Sequence, residues 1–152
     1  YLREWLSWLE KEGLPTIGPL PFLHCVNEQE PAAELRPLVA AQSDEDDLMP
    51  YHVLDAIERA AIREHRWPLE IWQDLQECFS EISPVQLAHY TERFFRLWCR
   101  NQWKRERLAP SFHLDEENLD PKTWCRFPIL SGNFETELEA LRAAAHPTSL
   151  DS

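Results

Sequence analysis

The stretch Ser83-Pro84-Val85-Gln86-Leu87, continuing to Arg107 as SPVQLAHYTERFFRLWCRNQWKRER, decides how the rest of the chain is read. Ser83 is a helix-capping residue and Pro84 carries the fixed φ of a first helical position. Gln86 stands three residues after the cap, where its amide completes a capping box. From there Leu87, Tyr90, Phe94, Leu97 and Trp98 recur at helical spacing. This pattern predicts one continuous helix to about residue 106, closed by Pro110.

The same reading extends outward. Leu2, Trp5, Leu6 and Leu9 mark one stripe of an N-terminal helix, with Gly13 as its C-cap and Pro15 as its stop. Pro15, Pro19 and Pro21 make residues 14–22 a connector rather than a sheet strand. Phe22, Leu23 and Val26 suit one short helical turn. Residues 27–49 show no clean period and read as a loop. Pro50 suits the first position of a helix striped by Leu54, Ile57 and Ala61, with Val53 and Ala60 flanking. Pro68 opens another, with Trp72, Leu75 and Phe79 on one face. Phe134, Leu138 and Leu141 mark a last helix, and Phe127–Leu130 reads as a short extended piece. The tail 146–152 reads as frayed. There is no internal repeat and no convincing amphipathic strand, so the pattern is that of a mainly α chain, a helical bundle or the helical portion of an α/β protein.

Composition narrows the function classes. The 152 residues suit one domain, and 43% hydrophobic with 11% aromatic residues is enough for a core. Fifteen Lys and Arg against 27 Asp and Glu give −12, a field unsuited to nucleic acid or anionic membrane. No apolar run is long enough to span a bilayer and no signal peptide opens the chain, so a cytoplasmic location is expected. The chain begins at Tyr1 without Met, as expected of a processed chain or the C-terminal piece of something larger. Cys25, Cys78, Cys99 and Cys125 include no C-x-x-C pair, and free thiols are expected rather than a zinc ribbon or redox pair.

Two charged features remain. Arg93, Arg96, Arg100 and Lys104 lie along one helix edge, and with Arg105 and Arg107 they gather six of the fifteen basic residues. This is either a solvated edge at a helix C-terminus or a clamp for phosphate or carboxylate. The run Asp44–Asp47 either complements the helix dipole ahead of Pro50 or contacts substrate or magnesium. The six His are scattered without H-E-x-x-H, and Ser131-Gly132 is not a phosphate loop. No metal ligand set is assigned. No catalytic residue is assigned either, because no nucleophile–base pair is recognisable.

Two segments resemble a known family. Pro31-Ala32-Ala33-Glu34-Leu35-Arg36-Pro37, then Gln42 through Asp55, is similar to the P-[ST]-A-[DE]-L…Q-x-D-E-x-x-L…Y-x-x-[LI]-D stretch of NAD synthetases. Asn101-Gln102-Trp103-Lys104-Arg105 resembles their N-x-[YH]-K-R block, especially that of the glutamine-dependent forms. The two blocks occur in the family's order. The resemblance implies that residues 1–152 are the C-terminal helical portion of an α/β, adenine-nucleotide alpha-hydrolase-like synthetase domain. It implies an ATP-dependent ligase that amidates deamido-NAD through an adenylated carboxylate, with magnesium. The nitrogen comes from ammonia, which an amidase domain releases in the glutamine-dependent forms. Homo-oligomerisation is implied, and no nucleic-acid or membrane partner. The S-G-G-x-D-S pyrophosphate loop is absent. The chain is therefore expected to need the N-terminal synthetase and amidase portions and not to turn over alone.

Residue by residue, Lys104 and Arg105 match basic positions at the deamido-NAD site. Glu34 and Asp44 fall on acidic positions of the loop 27–49, which corresponds to a mobile segment covering substrate. Ala32 stands where the family usually has Thr or Ser on ATP, leaving only a backbone contact. A helical interaction module that keeps the ancestral surface without catalysis is the alternative reading.

Overall fold

The computed structural model describes residues 2–29, 48–107, 109, 113, 118–130 and 132–146. The chain divides into two compact units, Tyr1–Asp47 and Leu48–Ser152. The described residues form helices and no strand, save one isolated bridge between Leu14 and Gly18. The extended piece expected at Phe127–Leu130 is irregular backbone ending in a bend. Among the described residues no helix is long and apolar enough to cross a membrane.

In the first unit, α1 (Leu2–Lys11) buries Leu9. The chain turns at Gly13 (φ 74°) and Gly18 (φ 81°), both in the left-handed region that glycine enters without cost. Gly18 N–H donates to the Leu14 carbonyl at 2.7 Å, and Leu20 N–H reaches back to the Leu9 carbonyl at 3.1 Å. One 3₁₀ turn at Pro21–Leu23 leads into α2 (His24–Asn27), the short turn that Phe22, Leu23 and Val26 foreshadow. The Arg3 guanidinium closes the end of α2, donating to the carbonyls of Asn27 and Gln29 at 3.0 Å each. Glu10 accepts from Asn27 Nδ2 at 2.6 Å and lies 2.9 Å from His24 Nδ1.

The second unit is a bundle of α3 (Tyr51–Glu58), α4 (Pro68–Cys78), α5 (Pro84–Arg100), the short α6 (Gln102–Arg105) and α7 (Glu135–Ala145). α5 packs against α3, α4 and α7. Val53, Ile57, Leu87, Leu138 and Leu141 are fully buried and Ile71 almost so. Burying each such side chain contributes about 1.5–3 kcal/mol. Thr91, also fully buried, satisfies its hydroxyl by donating to the Leu87 carbonyl at 2.9 Å. Trp72 Nε1 donates to the Pro84 carbonyl at 2.8 Å and ties α4 to the start of α5.

The caps explain the helix boundaries. Ser83 Oγ accepts from Gln86 N–H at 3.2 Å, the expected cap of α5. Pro68 is the first residue of α4, where Glu70 accepts from Trp67 N–H at 2.9 Å. Pro50 precedes α3 rather than opening it: its ψ of 134° is extended, so Tyr51 is the first helical residue. α3 does not run on regularly through Ala61. It widens into a π turn at Arg59–Arg63, ending at His65 in the left-handed region (φ 55°). The long helix stops at Arg100 instead of continuing to 106. Asn101 (φ −102°, ψ 10°) breaks it and α6 restarts at Gln102. All four cysteines carry free thiols.

Candidate functional site

The break at Asn101 shapes the second unit's chemistry. In the short helix that follows it, two neighbouring cations that sequence spacing makes look alike meet different surroundings. Gln102, almost fully buried, donates to the Trp98 carbonyl at 2.8 Å and accepts from Arg105 Nη1. Arg105 then turns three further N–H donors to backbone carbonyls. Nε and Nη2 donate to the Leu119 carbonyl at 3.1 and 2.7 Å, and Nη2 also donates to the Cys125 carbonyl. Its plane lies over the Trp98 ring, 4.5 Å from the centroid. Arg105 thus fixes the segment 119–125 against α5 and α6. Burial pushes the Cys125 thiol above its usual range, against the weaker pull of the Arg105 charge.

Lys104 has the opposite situation. Its side chain is exposed, with Nζ 5.9 Å from the Trp103 ring centroid, and it has no ion-pair partner among the described residues. It stands at the edge of a cleft of about 400 Å³ floored by Met49, Leu54, Leu97 and Trp98, with Leu119 on the wall that Arg105 anchors. An unpaired ammonium beside an almost wholly apolar floor suits a ligand with an anionic group next to flat or apolar parts.

The rest of the basic edge divides the same way. Arg96 donates to Glu92 at 2.8 Å and to Glu135 at 3.0 Å, and Arg142 donates to Glu92 at 3.2 Å. Burial pushes the Glu92 carboxyl up, but the hydrogen bonds and charges of Arg96 and Arg142 outweigh it and hold the carboxyl below its usual range. Arg96 therefore joins α5 to α7, while Arg100 is exposed. Ala32, Glu34 and Asp44 lie outside the described residues, as does all of the loop 27–49 except its two ends. Among the described residues no three His, Cys, Asp or Glu side chains converge closely enough to hold a metal ion.

A second cavity, of about 290 Å³, shares Phe94 and Trp98 with the first in its lining. Phe95, Phe127 and Phe134 close it, with Phe95 and Phe134 centroids 4.8 Å apart and Trp98 and Phe127 edge to face at 5.8 Å. The one available sequence signal was Gly132-Asn133 just before Phe134, a turn that both Asn133 (φ 58°) and Phe134 (φ 56°) enter in the left-handed region.

No protein-family profile matches the chain. Individual proteins do. A Schizosaccharomyces pombe protein assigned to the glutamine-dependent NAD(+) synthetases is 31% identical over 105 residues, 66% of this chain and 15% of its own length. The glutamine-dependent NAD(+) synthetase of Drosophila melanogaster is 29% identical over 117 residues, 73% of this chain and 15% of its own. The crystal structure of a glutamine-dependent NAD(+) synthetase from Cytophaga hutchinsonii superposes with a TM-score of 0.66 at 40% identity, covering 92% of this chain and 20% of that one. The chain thus spans about 15% of the length of the curated relatives it matches.

Proposed function

The chain belongs with the glutamine-dependent NAD(+) synthetases, and from that premise we propose that it forms the C-terminal helical part of their α/β synthetase domain. It works with the remaining synthetase and amidase portions, in one polypeptide or as a separate subunit. The reaction is the ATP-dependent amidation of deamido-NAD, through an adenylated carboxylate that ammonia attacks. The observation that carries this reading is the 40% identity to a solved synthetase over nearly the whole chain.

Within that reaction the described residues bind and position. Lys104 supplies a fixed cation at the mouth of an apolar cleft, where it holds a phosphate of the dinucleotide. Arg105 commits four of its five N–H donors to Gln102, Leu119 and Cys125, and so holds Leu119 and the wall of the cleft beside the dinucleotide. Glu34 and Asp44 order a lid over the substrate, and Ala32 contributes a backbone contact to ATP. A lid has chemical purpose here, because an acyl adenylate exposed to water hydrolyses. The described residues offer no cluster of three His, Cys, Asp or Glu side chains that would hold magnesium.

The test is Lys104→Ala in the full-length enzyme. Losing a charge-assisted contact to phosphate raises KM for deamido-NAD about tenfold or more, while Lys104→Arg retains most of the affinity. Unchanged kinetics in Lys104→Ala would remove Lys104 from the site. A reconstituted complex that neither turned over nor bound nucleotide would instead make the chain a non-catalytic interaction module.

A further inference from the structure

The aromatic cavity beside α5 has the features of a ligand site, and the synthetase reading makes no use of it. Its walls come from separated segments: Trp67 ahead of α4, Phe94 and Trp98 on α5, Phe127 on the irregular segment, and Phe134 at the start of α7. Two features of its frame are costly. His65 and Phe134 both line it with positive φ, and Asn133, the third non-glycine residue of that kind among the described residues, directly precedes Phe134. Non-glycine residues in this region carry backbone strain, and such strain concentrates at binding sites. The π turn at Arg59–Arg63 also supplies two of the lining residues, Ala61 and Ile62. Turns of this kind recur where function needs a helix widened.

Charge selects the ligand. The chain carries −12 overall, yet among the described residues no carboxylate lines this cavity, whereas Arg66 and Arg126 do. Arg66 is neutralised by Asp74 at 2.7 Å. Arg126 is exposed, and its guanidinium has no hydrogen-bond or ion-pair partner among the described residues. The volume, about 290 Å³, lies at the small end of ligand pockets, which run from roughly 300 to 1,000 Å³. Rings that prefer stacked or edge-to-face neighbours leave room for one more flat ring, and a planar guanidinium at the mouth matches a carboxylate in fork geometry.

We propose that this cavity binds a small planar aromatic carboxylate, with the ring among Trp98, Phe127 and Phe134 and the acid on Arg126. The site is distinct from the Lys104 cleft and stands on its own geometry, whatever that cleft binds.

The probe pair 4-fluorobenzoate and 4-fluorobenzamide differs chiefly in the charge of the acid and separates this proposal from general apolar uptake. In ¹⁹F NMR titrations of the full chain, the benzoate binds and the benzamide binds about tenfold more weakly, the usual worth of a hydrogen bond to a charged group. Arg126→Gln alters an exposed side chain, so the fold survives, and it brings the benzoate down to the level of the benzamide. Arg126→Lys retains part of the preference. Equal binding of acid and amide by the unaltered chain overturns the proposal. So does an acid preference that persists in Arg126→Gln, or no binding of either probe at millimolar concentration.

Discussion

The two units solve the problem of holding short helices in opposite ways. The bundle from Leu48 onward encloses side chains with no exposure at all, from Val53 on α3 to Leu141 on α7. The N-terminal unit buries Leu9 and is otherwise held by backbone turns and polar ties, while Trp5 and Trp8 stay about half exposed. Helices of four to seventeen residues gain little from local propensity alone. Interior packing supplies the difference in the bundle, and left-handed glycines with side-chain caps supply it in the N-terminal unit.

The sharpest way to break the bundle is therefore to hollow it. Leu138 lies on α7 with no exposed surface and joins the core formed by Ile71, Leu75, Phe95 and their neighbours. Leu138→Ala is expected to destabilise the bundle by about 2–5 kcal/mol, read as a fall in the denaturant midpoint with an unchanged slope. A cost below about 1 kcal/mol would show that α7 is not packed as the structure has it.

The matching attack on the N-terminal unit targets backbone, not volume. A Cβ on Gly13 would stand 1.7 Å from the Gly18 carbonyl oxygen, at φ 74°. Gly13→Ala is expected to cost about 1–2 kcal/mol for the left-handed conformation alone. The clash is relieved by opening the turn. Faster hydrogen exchange at the amides of Gly18 and Leu20 would report that opening, and unchanged exchange there would refute it.

This contrast also explains what could be read from the sequence. Elements set by apolar period and caps were legible: α1, α4, the start of α5 and α7 all follow stripes of Leu, Trp and Phe bounded by Pro, Gly or Ser. Their ends were not. The period of Leu97, Trp98 and beyond continues past Asn101, yet α5 stops, because buried Gln102 and Arg105 gain more by bonding to the Trp98, Leu119 and Cys125 carbonyls than a straight helix would give. No local signal marks a bond made between residues 105 and 125. The basic edge shows the same limit. Spacing groups Arg96, Lys104 and Arg105, but only the fold reveals that Glu92 and Glu135 occupy the first, carbonyls occupy the last, and Lys104 faces solvent. The aromatic cavity was hidden for a related reason, since its rings come from segments far apart in sequence.

The smallest expected effect sharpens the polar side of the comparison. The hydrogen bond from Asn27 holds the Glu10 carboxyl below its ordinary 4.5, with His24 adding a hydrogen bond and its charge against a modest desolvation. A carboxyl whose folded value is depressed favours the folded state above its unfolded value, and that favour is lost as pH falls through the folded one. The tie between α1 and α2 should therefore be at full strength at neutral pH and weaken below about 4.5. Asn27→Ala removes the largest cause, so the Glu10 titration followed by carboxyl ¹³C NMR should move up toward its ordinary value. The acid-side loosening of residues 2–29 should then begin at the same pH but be shallower and finish at higher pH. Because one polar contact is at stake rather than a core side chain, the change is small beside the loss of Leu138. A Glu10 midpoint unmoved by Asn27→Ala would mean that the unit's polar ties do not hold it, and that its turns at Gly13 and Gly18 carry the fold.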